Sequence, residues 1–259
     1  MKKTFIAALF VMNSATCAVA QDPSAGPTFA SNFENIKPDI AFGLQASTNS
    51  TYWGLSNTDN KPQAVFYAEA NGGPFFVSVA HLSTNYLDLL PFSSETDLAV
   101  GFRPVVGKFQ FNFTYWYYLV GSLGGVSQDY WDTSSSVNYD VTEKLNVGAR
   151  FWYTDNYANL GFQKTLLEFT GKYKFDDKWY ATGTYGTHDY EVFSPGDSNY
   201  KHWNLGVGYQ ISPIVRAELQ YHDNDRNTQE CFGGYDWCDP TVLLAVSVDT
   251  SLRSLLSGN

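Results

Sequence analysis

Four histidines, a pair of cysteines and a set of charged residues at alternate positions are the side chains in this 259-residue sequence equipped for chemistry. His188, His202 and His222 lie near Asp189, Asp223 and Asp225 in sequence, and imidazole with carboxylate is a ligand set for zinc or another divalent ion. The plainer reading is that such histidines occupy the rim of a fold. His81 precedes Ser83 by two residues and supplies the base and hydroxyl of a hydrolase, but no acid can be assigned to complete a Ser-His-acid site. Cys231 and Cys238, in CFGGYDWC, lack thioredoxin-like spacing; in an oxidising compartment they are expected to form a disulfide that clasps a loop. Nothing in the sequence calls for a cofactor.

Asp97, Arg103, Arg150, Glu168, Lys172, Lys174, Arg216 and Glu218 have another property in common: each alternates with apolar neighbours. Strict alternation marks a strand with two unlike faces. In KHWNLGVGYQ, Trp203, Leu205, Val207 and Tyr209 share one face and His202, Asn204, Gly206, Gly208 and Gln210 the other; IVRAELQYH repeats the split. A three-residue turn at Ile211-Ser212-Pro213 would pair Tyr209 with Val215 and Gly208 with Arg216, keeping the apolar faces together and setting His202 opposite His222. FQFNFTYWYY, LNVGARFWY and LLEFTGKYKF read the same way, with weaker segments near 39–47, 63–70, 75–82, 96–103, 134–141, 179–187 and 241–250. The count is about twelve strands.

The first twenty residues carry Lys2, Lys3, an apolar stretch and Ala18-Val19-Ala20, the form of a secretory signal peptide cut near Ala20. Residues 21–37 then form a short N-terminal segment ahead of the strands, which span 38–252, and 253–259 form a C-terminal tail. The chain has 16 Lys and Arg against 26 Asp and Glu, and loss of the signal makes the balance more negative still. Nucleic-acid binders present basic surfaces, so nucleic acid is not an expected partner. No apolar run of about 18 residues follows the signal, which excludes a spanning helix, but strands cross a bilayer with only about ten alternating residues. Aromatics make up 17% of the chain, a sheet-like composition.

The connections alternate in length. Short turns fall near 71–73, 104–107, 141–144, 176–177 and 211–213; long polar loops fall near 48–62, 83–95, 119–133, 154–164, 188–200 and 223–240 and collect acids such as Asp59, Asp88, Asp129 and Asp197. Short turns at one end and long loops at the other describe a single all-β, antiparallel transmembrane meander barrel with periplasmic turns and extracellular loops. Aromatic residues flank the long loops, among them Tyr52, Trp53, Tyr86, Tyr117, Tyr118, Tyr153, Tyr157, Tyr190, Trp203 and Tyr221, and are expected at the boundary of acyl chains and headgroups. The polar faces, with Asp97, Arg103, Arg150, Glu168, Lys172, Arg216 and Glu218, are expected to line a narrow lumen, since twelve strands exceed the eight that side chains can fill. A water-filled pore and a plugged, cross-linked interior are both compatible with those charges.

Three stretches, STYWGLSNTDNKP at 50–62, YKHWNLGVGY at 200–209 and LQYHDND at 219–225, resemble the TorF family of porins, over approximately residues 36–250. The family usually has arginine before the glycine of the first motif, where this chain has Trp53, and this chain lacks the proline that ends the family's middle strand. The resemblance implies a Gram-negative outer-membrane channel for passive passage of small hydrophilic solutes, with outer-membrane lipids, lipopolysaccharide and the barrel assembly machinery as partners. It supplies no catalytic residues and no oligomeric state. A structural or adhesive barrel without an open pore and a lipid hydrolase built on His81 are the alternatives. The ending SLRSLLSGN departs from the terminal aromatic common among such barrels.

Overall fold

The computed structural model describes residues 37–85, 93–190, 199–226, 231 and 236–257. The predicted signal peptide, residues 21–36, Tyr86, Asp88, Asp197 and the last two residues of the tail lie outside them.

Alternating segments need partners on both sides, and here they find them in a ring. The strands are β1 (Asp39–Ser47), β2 (Gln63–Gly72), β3 (Phe75–Ser83), β4 (Ser94–Phe102), β5 (Phe109–Leu119), β6 (Tyr130–Asp140), β7 (Leu145–Thr154), β8 (Lys164–Lys174), β9 (Trp179–Tyr190), β10 (Tyr200–Ser212), β11 (Val215–Asn224) and β12 (Thr241–Ser251). Each is antiparallel to the next, and β12 returns to β1 with Ala41 opposite Ser251. The predicted twelve-stranded meander barrel is the observed fold. A two-residue strand, Val105–Val106, pairs with β5 outside the ring.

The two faces sort as the alternation requires. Phe109, Phe113, Tyr115, Tyr117, Phe151, Leu167, Phe169, Leu205, Val207 and Leu219 all point outward and are exposed, giving the barrel an apolar exterior. No helix is long and apolar enough to cross a membrane among the described residues.

Three strands start two or more residues earlier than their alternation suggested, β4 at Ser94, β6 at Tyr130 and β8 at Lys164. The turn after β10 is tighter than predicted. Ser212 pairs with Val215 and Gln210 with Arg216, so Pro213-Ile214 is a two-residue turn preceded by a bulge. Proline has no N–H to give the ladder and suits the turn itself. The two-residue shift preserves which face is which, but His202 now opposes Asn224 and His222 opposes Asn204; the predicted pairing of the two histidines is wrong. At the turn after β8, Asp176 accepts hydrogen bonds from the backbone N–H groups of Trp179 and Lys178, both at 2.7 Å, and these hold its carboxyl below the ordinary range.

After β12 the chain forms a short helix, α1 (Leu252–Ser257). Arg253 donates from its backbone to Asp39 at 3.0 Å and from its guanidinium to the carbonyls of Lys37 at 2.6 Å and Pro38 at 2.8 Å. The tail thereby folds back onto the strand that closes the ring.

Inside the barrel, rings lie over glycines on the neighbouring strand. Tyr180 covers Gly208, its cross-strand partner, and Phe76 covers Gly101. A side chain at either glycine would enter the ring above it. Gly208→Val should therefore lower the urea midpoint of the barrel in detergent micelles, by about 1–3 kcal/mol of stability. Gly171→Val, whose added carbon meets open space, should leave the midpoint nearly unchanged.

Candidate functional site: the barrel lumen

The inward faces enclose a cavity of about 390 Å³. Asp97, Arg150, Glu168, Lys172, Arg216 and Glu218, six of the residues predicted to line a lumen, line it. Arg103 does not. It follows the end of β4 and makes a two-pronged ion pair with Glu69, with its guanidinium 3.6 Å from the centre of the Phe76 ring.

The cavity charges are engaged with one another and with neighbouring dipoles. Glu168 is bonded through one oxygen to His202 Nε2 at 3.1 Å and faces Arg150 with the other at 3.6 Å. Glu218 accepts from the Tyr180 hydroxyl at 2.5 Å and from Gln220 Nε2 at 3.1 Å. Asp249 accepts from the Tyr67 hydroxyl at 2.6 Å and pairs with Arg216 at 2.8 Å. Lys172 lies over the Tyr180 ring at 4.1 Å, a cation held against the negative face of an aromatic.

The long-loop end of the lumen is packed with rings. Tyr52 and Trp53, expected at the membrane interface, are instead buried inside the barrel; Trp53 is 8% exposed. They belong to a small hairpin, Thr51–Tyr52 with Leu55–Ser56, whose tip is Trp53-Gly54. Both tip residues have positive φ, 53° and 79°, as a primed two-residue turn requires. Gly54 also lies too close to the Asp223 carbonyl and the side chains of His202 and Asn224 to carry a side chain. Asn224 Nδ2 donates to the Gly54 carbonyl at 2.8 Å and to that of Cys238 at 2.9 Å. Around the tip pack Tyr118, Tyr130, Trp152, Tyr157, Phe162, Tyr200 and Trp237. The error has a physical source: a ring beside a polar loop is equally content at a lipid interface or in an interior that loops must fill, and twelve strands leave an interior to fill. Tyr118 and Tyr157 are buried in the same cluster and Tyr190 packs against it, for the same reason.

Beneath the tip lies an ion pair with no water access. Lys164 Nζ is 2.7 Å from Asp132 Oδ2, and both side chains are fully buried. The ammonium is 4.5 Å from the Trp53 ring centre, 4.4 Å from that of Tyr157 and 5.8 Å from that of Tyr130. Trp53 thus tolerates a backbone conformation costly for a bulky residue while stacking on a buried cation.

His188 and His202 do come together, Nε2 to Nδ1 at 3.1 Å, and His188 stacks on Tyr200 at 4.2 Å and lies 4.7 Å from Trp53. His222 bonds Gln220 instead, at 2.8 Å. Among the described residues no group of three His, Cys, Asp or Glu converges as a metal site. His81 faces outward with Nδ1 2.8 Å from Thr96 Oγ1, and Ser83 Oγ accepts from the Ala64 N–H; the two do not meet. Cys231 and Cys238 are joined in a disulfide, Cα to Cα 5.8 Å. Tyr117, Tyr153, Trp203 and Tyr221 lie on the outward faces of β5, β7, β10 and β11.

Lys164, Tyr67, Tyr180 and Asp249 escaped the sequence reading, and Asp132, expected among the acids of the 119–133 loop, is instead buried on β6. A signal was present for Asp132 and Lys164: Asp132 continues the inward parity of Ser134, and Lys164 that of Leu166 and Glu168. Placing the strand starts at 134 and 166 hid it.

The barrel has the fold of solved outer-membrane porins. It superposes on the NanC porin with a TM-score of 0.56 at 10% identity, covering 82% of this chain and 99% of that one. It superposes on the KdgM porin, solved in complex with disordered oligogalacturonate, with a TM-score of 0.50 at 10% identity, covering 82% and 97%. No protein-family model and no curated protein matches the sequence.

A buried charge without its partner is costly, so Lys164→Met should destabilise the barrel by roughly 3–5 kcal/mol. Combining it with Asp132→Leu should recover most of that loss. Thermal or urea unfolding of the refolded protein reads both.

Proposed function

We propose that this chain is a porin of the Gram-negative outer membrane, of the TorF kind, through which small hydrophilic solutes pass passively. The observation that carries the reading is a polar, charge-lined cavity inside a barrel whose outer surface is apolar. An exterior of exposed Phe, Leu and Val suits acyl chains, with Tyr117, Tyr153, Trp203 and Tyr221 as the ring of interface aromatics and lipopolysaccharide around the loops. Residues 1–20 direct export, and the barrel assembly machinery inserts the barrel. Where the TorF family carries arginine before the first-motif glycine, this chain has Trp53, whose ring centre lies 4.5 Å from the Lys164 ammonium.

The packed rings around Trp53 set the resting state as closed at the outer end. Passage then requires the Thr51–Ser56 hairpin to leave the lumen, and among the described residues its tip is held by ring contacts and the hydrogen bond from Asn224 rather than by a covalent link. The same plug favours a second reading, a structural barrel with no pore. Planar-bilayer recording separates them: the parent should give small or intermittent currents and Trp53→Ala larger, longer openings. Silence from both proteins, each shown to be folded, would establish the structural barrel.

A further inference from the structure

The cavity is lined by three cationic side chains, Arg150, Lys172 and Arg216, and three carboxylates, Asp97, Glu168 and Glu218; with Asp249, the partner of Arg216, the set carries a formal charge of −1 with neutral histidines. The charges are also spent locally. Glu218 and Asp249 each have both oxygens held by protein groups, Glu168 has one oxygen bonded to His202 and the other facing Arg150 at 3.6 Å, and Arg216 pairs with Asp249. Between them the wall offers amides and hydroxyls, among them Asn112, Ser136, Asn138, Thr182, Asn204 and Gln210. Trp116 adds an aromatic face whose indole N–H is turned to Ser134 at 3.1 Å.

A charged solute entering this space would shed water and find countercharges already committed to partners, which is the situation in which desolvation outweighs attraction. An uncharged, hydroxyl-rich solute loses less on desolvation, can exchange hydrogen bonds with amides and hydroxyls, and can lay an apolar ring face on Trp116. The volume lies within the roughly 300–1,000 Å³ range of small-molecule sites. We infer that the lumen selects neutral polyhydroxylated solutes of about monosaccharide size over acids and amines of the same size. This rests on the channel reading above and specifies its solute.

Asp249 is the group to test, because among the described residues it is the ion-pair partner of the Arg216 guanidinium. Liposomes carrying the refolded barrel would be tested by osmotic swelling in galactose, galacturonate and galactosamine. Galactose should enter about tenfold faster than either charged analogue, the equivalent of roughly 1.4 kcal/mol of discrimination. Asp249→Asn, which releases Arg216, should raise the galacturonate rate relative to galactose several-fold while leaving galactosamine slow. Should that variant fail to fold, judged by heat-modified gel mobility, Glu218→Gln supplies the same test by freeing positive charge near Lys172. Galacturonate or galactosamine entering the parent as fast as galactose overturns the inference but leaves the channel intact, as does an unchanged ratio in a folded variant. No swelling with any solute, glycerol included, overturns the channel and the inference together.

Discussion

Return of the sheet upon itself, with β12 hydrogen-bonded to β1, is the constraint on which the remaining features hang. A bilayer offers no water to an unpaired strand, so a spanning sheet must have no edge. Closure with strict alternation then divides every strand into an outer face and an inner one, and the chemistry of each face follows from what it meets. The outer face is apolar because nothing inside the barrel needs its area. The inner face is polar, and its carboxylates and guanidinium groups can stay there only because they meet one another.

Twelve strands also create a surplus of interior. Eight strands can be filled by their own side chains, and wider barrels need water, a plug or both. Here the two halves of the lumen take different solutions. Between paired charges the lumen keeps a cavity of about 390 Å³; the long-loop end is filled by rings drawn from loops, above all the Tyr52-Trp53 hairpin, around a buried Lys164–Asp132 pair. Gly54 makes this possible, since the tip approaches the β10 and β11 walls more closely than a side chain allows.

The fold was legible because period-two alternation and alternating loop length are backbone-scale signals, and KHWNLGVGYQ shows its faces without help from the rest of the chain. The inward placement of Glu168 and Arg216 was legible for the same reason. The loops were less so. Trp53 carries no periodic signal, and burial of its ring depends on a cavity whose size is a property of the whole ring. The histidine pairing failed on a smaller matter: a two-residue turn at Pro213-Ile214 moves the register by two places, keeps every face correct and changes every partner. Parity can be read from sequence; register needs the turn. Partners such as Glu69 and Asp249 were missed because ion pairs across strands belong to register.

The attachment of α1 to the first strand bears on how such a ring is finished. Arg253 reaches residues 214 to 216 positions earlier in the chain, across the seam where the last strand meets the first. Every other neighbouring pair of strands is joined by a nearby connection, whereas this seam unites the most distant parts of the sequence and is entropically the hardest contact to find. A terminal arginine that grips the carbonyls beside β1 acts as a latch on that seam, giving the final zippering step a stop and setting the stagger at which the cylinder locks.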